Sequence, residues 1–373
     1  MNILILGGTG AMGEHLVKIL SQNPINEIYV TSRKKRVDFE KVHYLLGDAH
    51  DDVFLDFILN MHSWDVLIDF MVYKTEEFLN RANKILSKTG QYIFLSSCRV
   101  FADTSEIITE STPRLLDVSK DEKFLLSDDY PITKARQEDI LLENRNRNWT
   151  IVRPYITFSS QRLQLGVYEK EYWLYRAINQ KKVIFSKDIS ESITTLTFGR
   201  DVSYGISKLV GRNDSLGQDF NITTGENLLW KEALAVYQKV FYDVKNRDML
   251  VDLVDSPNID AIAISSVWPI KYDRLYNRKF DNSKFLQFVG SDFHFAPVKD
   301  TLGECLYDFL MSGGVFKDIS YSTMAYFDRI SSEKSNLRGV GFSSVLKYNI
   351  YRYTNLFEKR TQKNMLKKGQ ELF

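Results

Sequence analysis

A tyrosine and a lysine stand four residues apart in Tyr130-Pro131-Ile132-Thr133-Lys134. On a helix that spacing puts both side chains on one face, one turn apart. A phenol titrates near pH 10, roughly three units above neutrality. A neighbouring ammonium stabilises the phenolate and lowers that value, which makes the tyrosine a usable general acid/base. Upstream, Ser96 and Ser97 end the apolar run Gln91–Leu95. A serine there can hydrogen-bond the oxygen that the tyrosine protonates or deprotonates. A third constellation, Gly7-Gly8-Thr9-Gly10-Ala11-Met12-Gly13, follows the apolar run Asn2–Leu6. Glycines at a strand-to-helix junction allow a tight turn and let a pyrophosphate approach the backbone. The helix start then offers unpaired N–H groups and the positive end of a dipole. All seven residues, Gly7 to Gly13, are therefore candidates for holding a dinucleotide.

The end of the second apolar run bears on which dinucleotide. An acid there would hold a ribose 2′-hydroxyl, and a basic residue suits a 2′-phosphate. The chain reads Thr31-Ser32-Arg33-Lys34-Lys35-Arg36, with no acid before Asp38. Ser32 and Arg33 are expected at a 2′-phosphate, so NADP is favoured over NAD. Asp48, after the third run, is placed either to accept from an adenine amino group or to cap the next helix.

These residues need a frame. Short apolar runs at Asn2–Leu6, Glu27–Thr31, Val42–Leu46, Asp65–Phe70, Gln91–Leu95 and Trp149–Arg153 alternate with helical patterns. The helices are expected over Met12–Ser21, Val53–Met61, Glu76–Leu86 and Tyr130–Arg145. Such alternation predicts βαβ units, hence a Rossmann-type doubly wound parallel sheet with helices on both faces. Ligands then bind outside the carboxyl ends of the strands. Ala102–Asp129 breaks the rhythm and reads as a long polar loop, part of a substrate cleft or a surface insertion. Beyond Pro154 the pattern weakens. A helix is expected over Gly166–Lys181, a strand over Ile193–Phe198 and helices over Asp201–Val210 and Leu229–Phe241. A dinucleotide domain over residues 1–158 and 192–224, a smaller α/β substrate domain over 159–191 and 225–329, and a basic aromatic tail over 330–373 follow.

Taken together, the pieces resemble the extended short-chain dehydrogenases/reductases of the nucleotide-sugar epimerase/dehydratase superfamily. The matching segments are GGTGAMG (Gly7–Gly13), FLSSCRVF (Phe94–Phe101), YPITK (Tyr130–Lys134), IVRPYITF (Ile151–Phe158) and FNITTGENLLWKEAL (Phe220–Leu234). They cover roughly Met1 to Leu310. The resemblance implies a catalytic trio of Ser97, Tyr130 and Lys134, with Lys134 also reaching the nicotinamide ribose. Ser97 is chosen over Ser96 because it lies four residues before Phe101, where that family usually has a tyrosine. Arg153-Pro154 resembles the turn leading into the substrate cleft. The implied substrate is a nucleotide-linked sugar, the implied reaction a hydride transfer at a sugar carbon. An epimerase and a keto-sugar reductase share this machinery, and the basic cofactor signature leans toward the reductase. Departures matter too. Cys98-Arg99 replaces the Asp-Glu pair of the 4,6-dehydratase branch, so dehydration is not expected. Val66–Tyr73 lacks the usual Ala pair, and Arg200-Asp201 replaces an Asp-Asp. A non-catalytic or RNA-associated relative is the alternative of another class. The complete Ser/Tyr/Lys set argues against it. Surface-polysaccharide synthesis is an expectation from the resemblance alone.

Composition limits the other classes. Of 373 residues, 44% are hydrophobic and 26% charged, which excludes a disordered or fibrous chain. Forty-nine Lys/Arg against forty-eight Asp/Glu leave a net charge of +1, so no nucleic-acid partner is expected. Two cysteines, Cys98 and Cys305, cannot form a disulfide framework, which points to a reduced, cytoplasmic compartment. No apolar run approaches the roughly 20 residues of a membrane-spanning helix, and the start of the chain reads as a strand rather than a signal peptide. His43, Asp48, His50 and Asp51 lack a metal-ligand spacing, so no metal is expected. Charge is uneven, however. Residues 331–373 carry nine Lys/Arg and three Glu, about +6 net, with interleaved aromatics. That tail is expected to pack on its own domain or on a second subunit in a homodimer, to touch a membrane surface or another anionic partner, or to be disordered.

Overall fold

Asn2–Leu6 forms the first strand, β1, and its side chains alternate between two cores. Ile3 and Ile5 pack with Leu16 and Val17 of α1 (Ala11–Ser21) and with Val202 and Ile206 of a later helix. Leu4 and Leu6 pack on the opposite face with Leu55, Ile58, Phe78 and Ile85. A strand covered on both faces has no solvent side to keep polar, so its sequence is a continuous apolar run. This computed structural model describes all 373 residues.

Six more strands join β1: β2 (Glu27–Ser32), β3 (Val42–Leu46), β4 (Trp64–Asp69), β5 (Thr89–Leu95), β6 (Trp149–Arg153) and β7 (Gln218–Asn221). The order is β7-β6-β5-β4-β1-β2-β3, and every pairing is parallel. The crossovers are α1, α2 (Asp52–Leu59), α3 (Thr75–Lys88), α4 (Tyr130–Leu142) and α5 (Gly199–Ser207). The strand order reverses between β1 and β4, which opens a crevice at their carboxyl ends. The Rossmann-type doubly wound sheet expected from the alternation is present.

The chain divides into two compact units. The first comprises Met1–Ser159, Thr195–Glu226 and Lys279–Ala296, and contains the seven-stranded sheet. The second comprises Ser160–Thr194, Asn227–Arg278 and Pro297–Phe373. In it α6 (Trp230–Lys245) packs along α7 (Val298–Met311), and Val183–Ser186 pairs in parallel with Val251–Val254. Then α8 (Tyr321–Ile330) packs along α9 (Phe342–Tyr353), which leads to α10 (Leu356–Lys367). The basic tail is thus folded as helices within the second unit.

Two expected elements differ. The helix expected over Gly166–Lys181 is confined to Trp173–Ile178. Gly166, at φ +57°, instead turns a short hairpin that pairs Gln164–Leu165 with Tyr168–Glu169. The strand expected over Ile193–Phe198 is two fragments. Ile193–Thr194 pairs antiparallel with Leu228–Leu229, and Thr197–Phe198 pairs parallel with Thr157–Phe158. The break falls where the chain passes from the second unit to the first. The expected loop Ala102–Asp129 holds two single-turn helices, Leu115–Val118 and Glu122–Leu125. It is fastened to α4 through Arg114, which pairs with Asp139 at 2.7 Å and donates to the Ala135 carbonyl at 3.1 Å.

Candidate active site

The glycine loop sits at the switch point. A cleft of about 330 Å³ is lined there by Gly7, Thr9 and Gly10, by Thr31, Ser32 and Arg33 from the end of β2, by Asp48, and by Phe70 and Met71 after β4. Gly7 has φ +69°, a conformation that a side chain would strain, and its N–H donates to Thr31 Oγ1 at 2.9 Å. A Cβ on Gly10 would meet nothing within 4 Å, so the backbone there is open to the cleft. Gly10 caps α1 without a side-chain hydrogen bond, which leaves the first amides of α1 for an anion.

Gly8 and Gly13 do different work. A Cβ on Gly13 would lie 2.5 Å from the Gly8 carbonyl oxygen, and one on Gly8 would press on Ile5 and Val30. These two let α1 lie against β1, and neither lines the cleft. Nor do Ala11 and Met12, which form the first turn of α1. Of the basic turn, Arg33 is exposed at the cleft, whereas Arg36 pairs with Glu14 at 3.3 Å. Asp38, the first acid after β2, accepts from the Tyr44 amide at 2.8 Å. Asp48 lines the cleft and accepts from the His50 amide at 3.0 Å. It does not cap α2. That cap is Asp51, which accepts from the amides of Val53 and Phe54.

Ser97 follows β5, Tyr130 and Lys134 lie on α4, and none of the three lines the glycine-loop cleft. Ser97 caps the turn Cys98–Val100, accepting from the Arg99 amide at 3.2 Å. Tyr130 is the first residue of α4, and the Arg99 guanidinium lies 5.4 Å from its ring centre. One turn later the Lys134 ammonium lies 4.5 Å over the ring of Phe94, in β5. The two serines are now distinguished. Ser96 donates to the buried carboxylate of Glu138 at 2.5 Å, so its hydroxyl is committed. The Ser97 hydroxyl, besides accepting from the Arg99 amide, donates at 3.5 Å to the Pro154 carbonyl.

Lys134 is the anomaly. It is 2% exposed, and its Nζ has no hydrogen-bond partner. Burial pushes its amine down from 10.5 to about 8, against the pull of the Asp69 and Glu138 carboxylates. An orphaned buried ammonium is costly, and native structures rarely keep one without a ligand to meet it.

Glu138 and Asp69, which the motifs did not reveal, hold this site together with Arg153, which they did. Glu138, fully buried on α4, takes a two-pronged contact from Arg153 at the end of β6, at 2.7 and 2.9 Å. Arg153 also pairs with Asp219 in β7 at 2.6 Å, so it ties β6, β7 and α4 together. Asp69, at the carboxyl end of β4, accepts from the Met71 amide at 2.9 Å, from the Tyr92 hydroxyl at 2.9 Å and from the Tyr73 hydroxyl at 3.3 Å. Burial raises its carboxyl above the usual range, partly offset by those donors and by Lys134. A signal existed for Glu138. It follows Lys134 by one helical turn and Tyr130 by two, on the same face of α4.

Comparison with known proteins agrees with this fold. None of the curated protein sequences matches the chain. Among solved structures, dTDP-glucose 4,6-dehydratase from Bacillus anthracis, in complex with NAD, superposes with a TM-score of 0.63 at 14% identity, covering 83% of this chain and 96% of that one. UDP-glucuronic acid 4-epimerase from Bacillus cereus, in complex with NAD, gives 0.60 at 14% identity over 84% and 97%. The enzyme WbmH from Bordetella bronchiseptica, in complex with NAD+, gives 0.58 at 15% identity over 82% and 97%. At such identities the likeness is one of fold. The family model described as the NAD dependent epimerase/dehydratase family matches residues 3–223. With more than half its length matched and its glycine loop at the switch point of a parallel sheet, the chain belongs to the NAD-dependent epimerase/dehydratase family, enzymes of the short-chain dehydrogenase/reductase type.

Proposed function

We propose that this chain is an NADP-dependent oxidoreductase/epimerase acting on a nucleotide-linked sugar, with a lean to keto-sugar reduction. Lys134 carries the reading. Its buried, unpartnered ammonium suits a ribose hydroxyl arriving from a dinucleotide whose pyrophosphate lies along Gly7–Gly10 and the start of α1. When bound, the nicotinamide ring supplies hydride exchange with a sugar carbon. The chain's own residues supply the rest. Tyr130 moves the hydroxyl proton, Ser97 hydrogen-bonds the same sugar oxygen, and Lys134 favours the phenolate by its charge. Cys98 stands where a dehydratase would carry an acid and is buried with its thiol on the Arg153 carbonyl at 3.0 Å, which does not favour water elimination.

Two observations support NADP. Arg33 is exposed at the cleft, and Asp38, the first acid after β2, faces β3 and does not line the cleft. The test is to mix the purified chain with NADPH and a panel of UDP-, GDP-, CDP- and dTDP-sugars. Loss of the nicotinamide absorbance marks a reductase, and an isomeric product of unchanged mass marks an epimerase. Tyr130→Phe is expected to lower kcat by about 10²–10⁴-fold. Undiminished turnover in that variant overturns the acid/base role.

A further inference from the structure

The helix α9 turns an apolar side to solvent. Its inward residue is Tyr348, fully buried, whose hydroxyl donates to Asp328 and accepts from the Ser335 amide, both at 2.7 Å. At about 100° per residue, Phe342, Leu346, Ile350 and Tyr353 share a sector roughly 80° wide on the side away from Tyr348. They are 83, 52, 39 and 65% exposed. An amphipathic helix in a folded unit normally points such a stripe inward.

The helix that follows carries exposed cations. After the link Thr354–Asn355, α10 buries Thr361 and Met365 and exposes Lys359, Lys363 and Lys367. The two helices are tied where Arg360 donates to the Tyr351 hydroxyl at 3.2 Å. Apolar stripe and cations thus belong to one helical pair.

We propose that this pair docks on the surface of an anionic lipid bilayer, independently of the chemistry argued above. Charge complementarity selects the occupant. With nine Lys/Arg against three Glu in residues 331–373, a symmetric contact with a second copy would bring like charges together. A soluble polyanion would meet the cations and leave the stripe wet. A bilayer surface satisfies both, because its headgroups attract cations and its acyl boundary takes apolar side chains. Aromatic residues at both ends of the stripe, Phe342 and Tyr353, suit that boundary. No helix is long and apolar enough to cross a membrane, so the contact lies in the plane of the surface.

The test uses the full chain and sedimentation with vesicles of phosphatidylcholine, with and without phosphatidylglycerol. The expected result is co-sedimentation with the anionic vesicles that weakens in high salt. The double variant Phe342→Ser/Leu346→Ser should lower partitioning about tenfold or more. A second variant, Lys363→Glu/Lys367→Glu, should do the same without touching the stripe. Absence of wild-type binding, or equal binding by both variants, overturns the proposal. So does a halved solution mass in the serine variant by light scattering, which would make the stripe a contact between copies.

Discussion

Both units bury lysines, and Lys134 in the first and Lys181 in the second are treated in opposite ways. In the second unit Lys181 donates to Asp328 at 2.5 Å and to Ser335 at 2.9 Å. The same Asp328 receives Arg176 at 2.7 Å and the Tyr348 hydroxyl. Burial alone would raise the Asp328 carboxyl, yet Lys181 and Arg176 together hold it below its usual range. Every charge there has a partner, and the cluster fastens α8 and the tail to the body of the unit. In the first unit Lys134 is as deeply buried and has none. The difference teaches how to read a buried cation. Full pairing marks architecture, and a missing partner marks a place kept for a ligand.

That contrast can be broken experimentally, starting with its strongest limb. Asp328→Ala strands Arg176 and Lys181 and is expected to cost about 3–5 kcal/mol in urea unfolding. Because the Asp328 carboxyl is lowered in the fold, its contribution is complete above the ordinary value of 3.8 and is lost as the pH falls through the lowered native value. A small loss would remove the architectural half of the comparison.

Lys134→Met should go the other way. With the amine moved from 10.5 to about 8, the buried charge costs up to about 3 kcal/mol near neutral pH, at ~1.36 kcal/mol per unit. The variant should therefore unfold at higher urea while losing turnover. Between about pH 8 and 10.5 the unfolded chain holds the proton that the native chain has shed, so wild-type stability rises with pH there. The advantage of the methionine should shrink over that window. An advantage that stays constant with pH would trace it to packing instead of charge. The smallest effect belongs to a cation that is not buried at all. Arg33→Ala should change stability by less than about 0.5 kcal/mol, yet lower the preference for NADP over NAD about tenfold, read by titration of nicotinamide fluorescence. An unchanged preference takes Arg33 out of the site.

Local signals were legible in the sequence. The continuous run of β1, the glycine turn into α1 and the one-turn spacing of Tyr130 and Lys134 each depend on neighbours a few residues away. What escaped depends on distant partners. Glu138 looks like a solvent-facing helical acid until Arg153, fifteen residues on, and Ser96, forty-two back, close around it. Thr195–Leu196 looked like the middle of one strand because periodicity cannot register a change of unit. Asp48 carried two readings that differed only in whether Asp51 reached the α2 amides first, and three-dimensional geometry alone decides that. The outward stripe of α9 was hidden by its own regularity, since a helical pattern does not say which side is covered.

One helix, α4, gathers the lesson along its length. Tyr130 begins it part-exposed, Lys134 follows buried and unanswered, and Glu138 follows buried and clamped by Arg153. The rod is anchored at its far end and reactive at its tip. Substitutions that retune the chemistry can therefore be confined to the opening turn, where they leave the foundation undisturbed, and the same scaffold can be fitted to new substrates without being rebuilt.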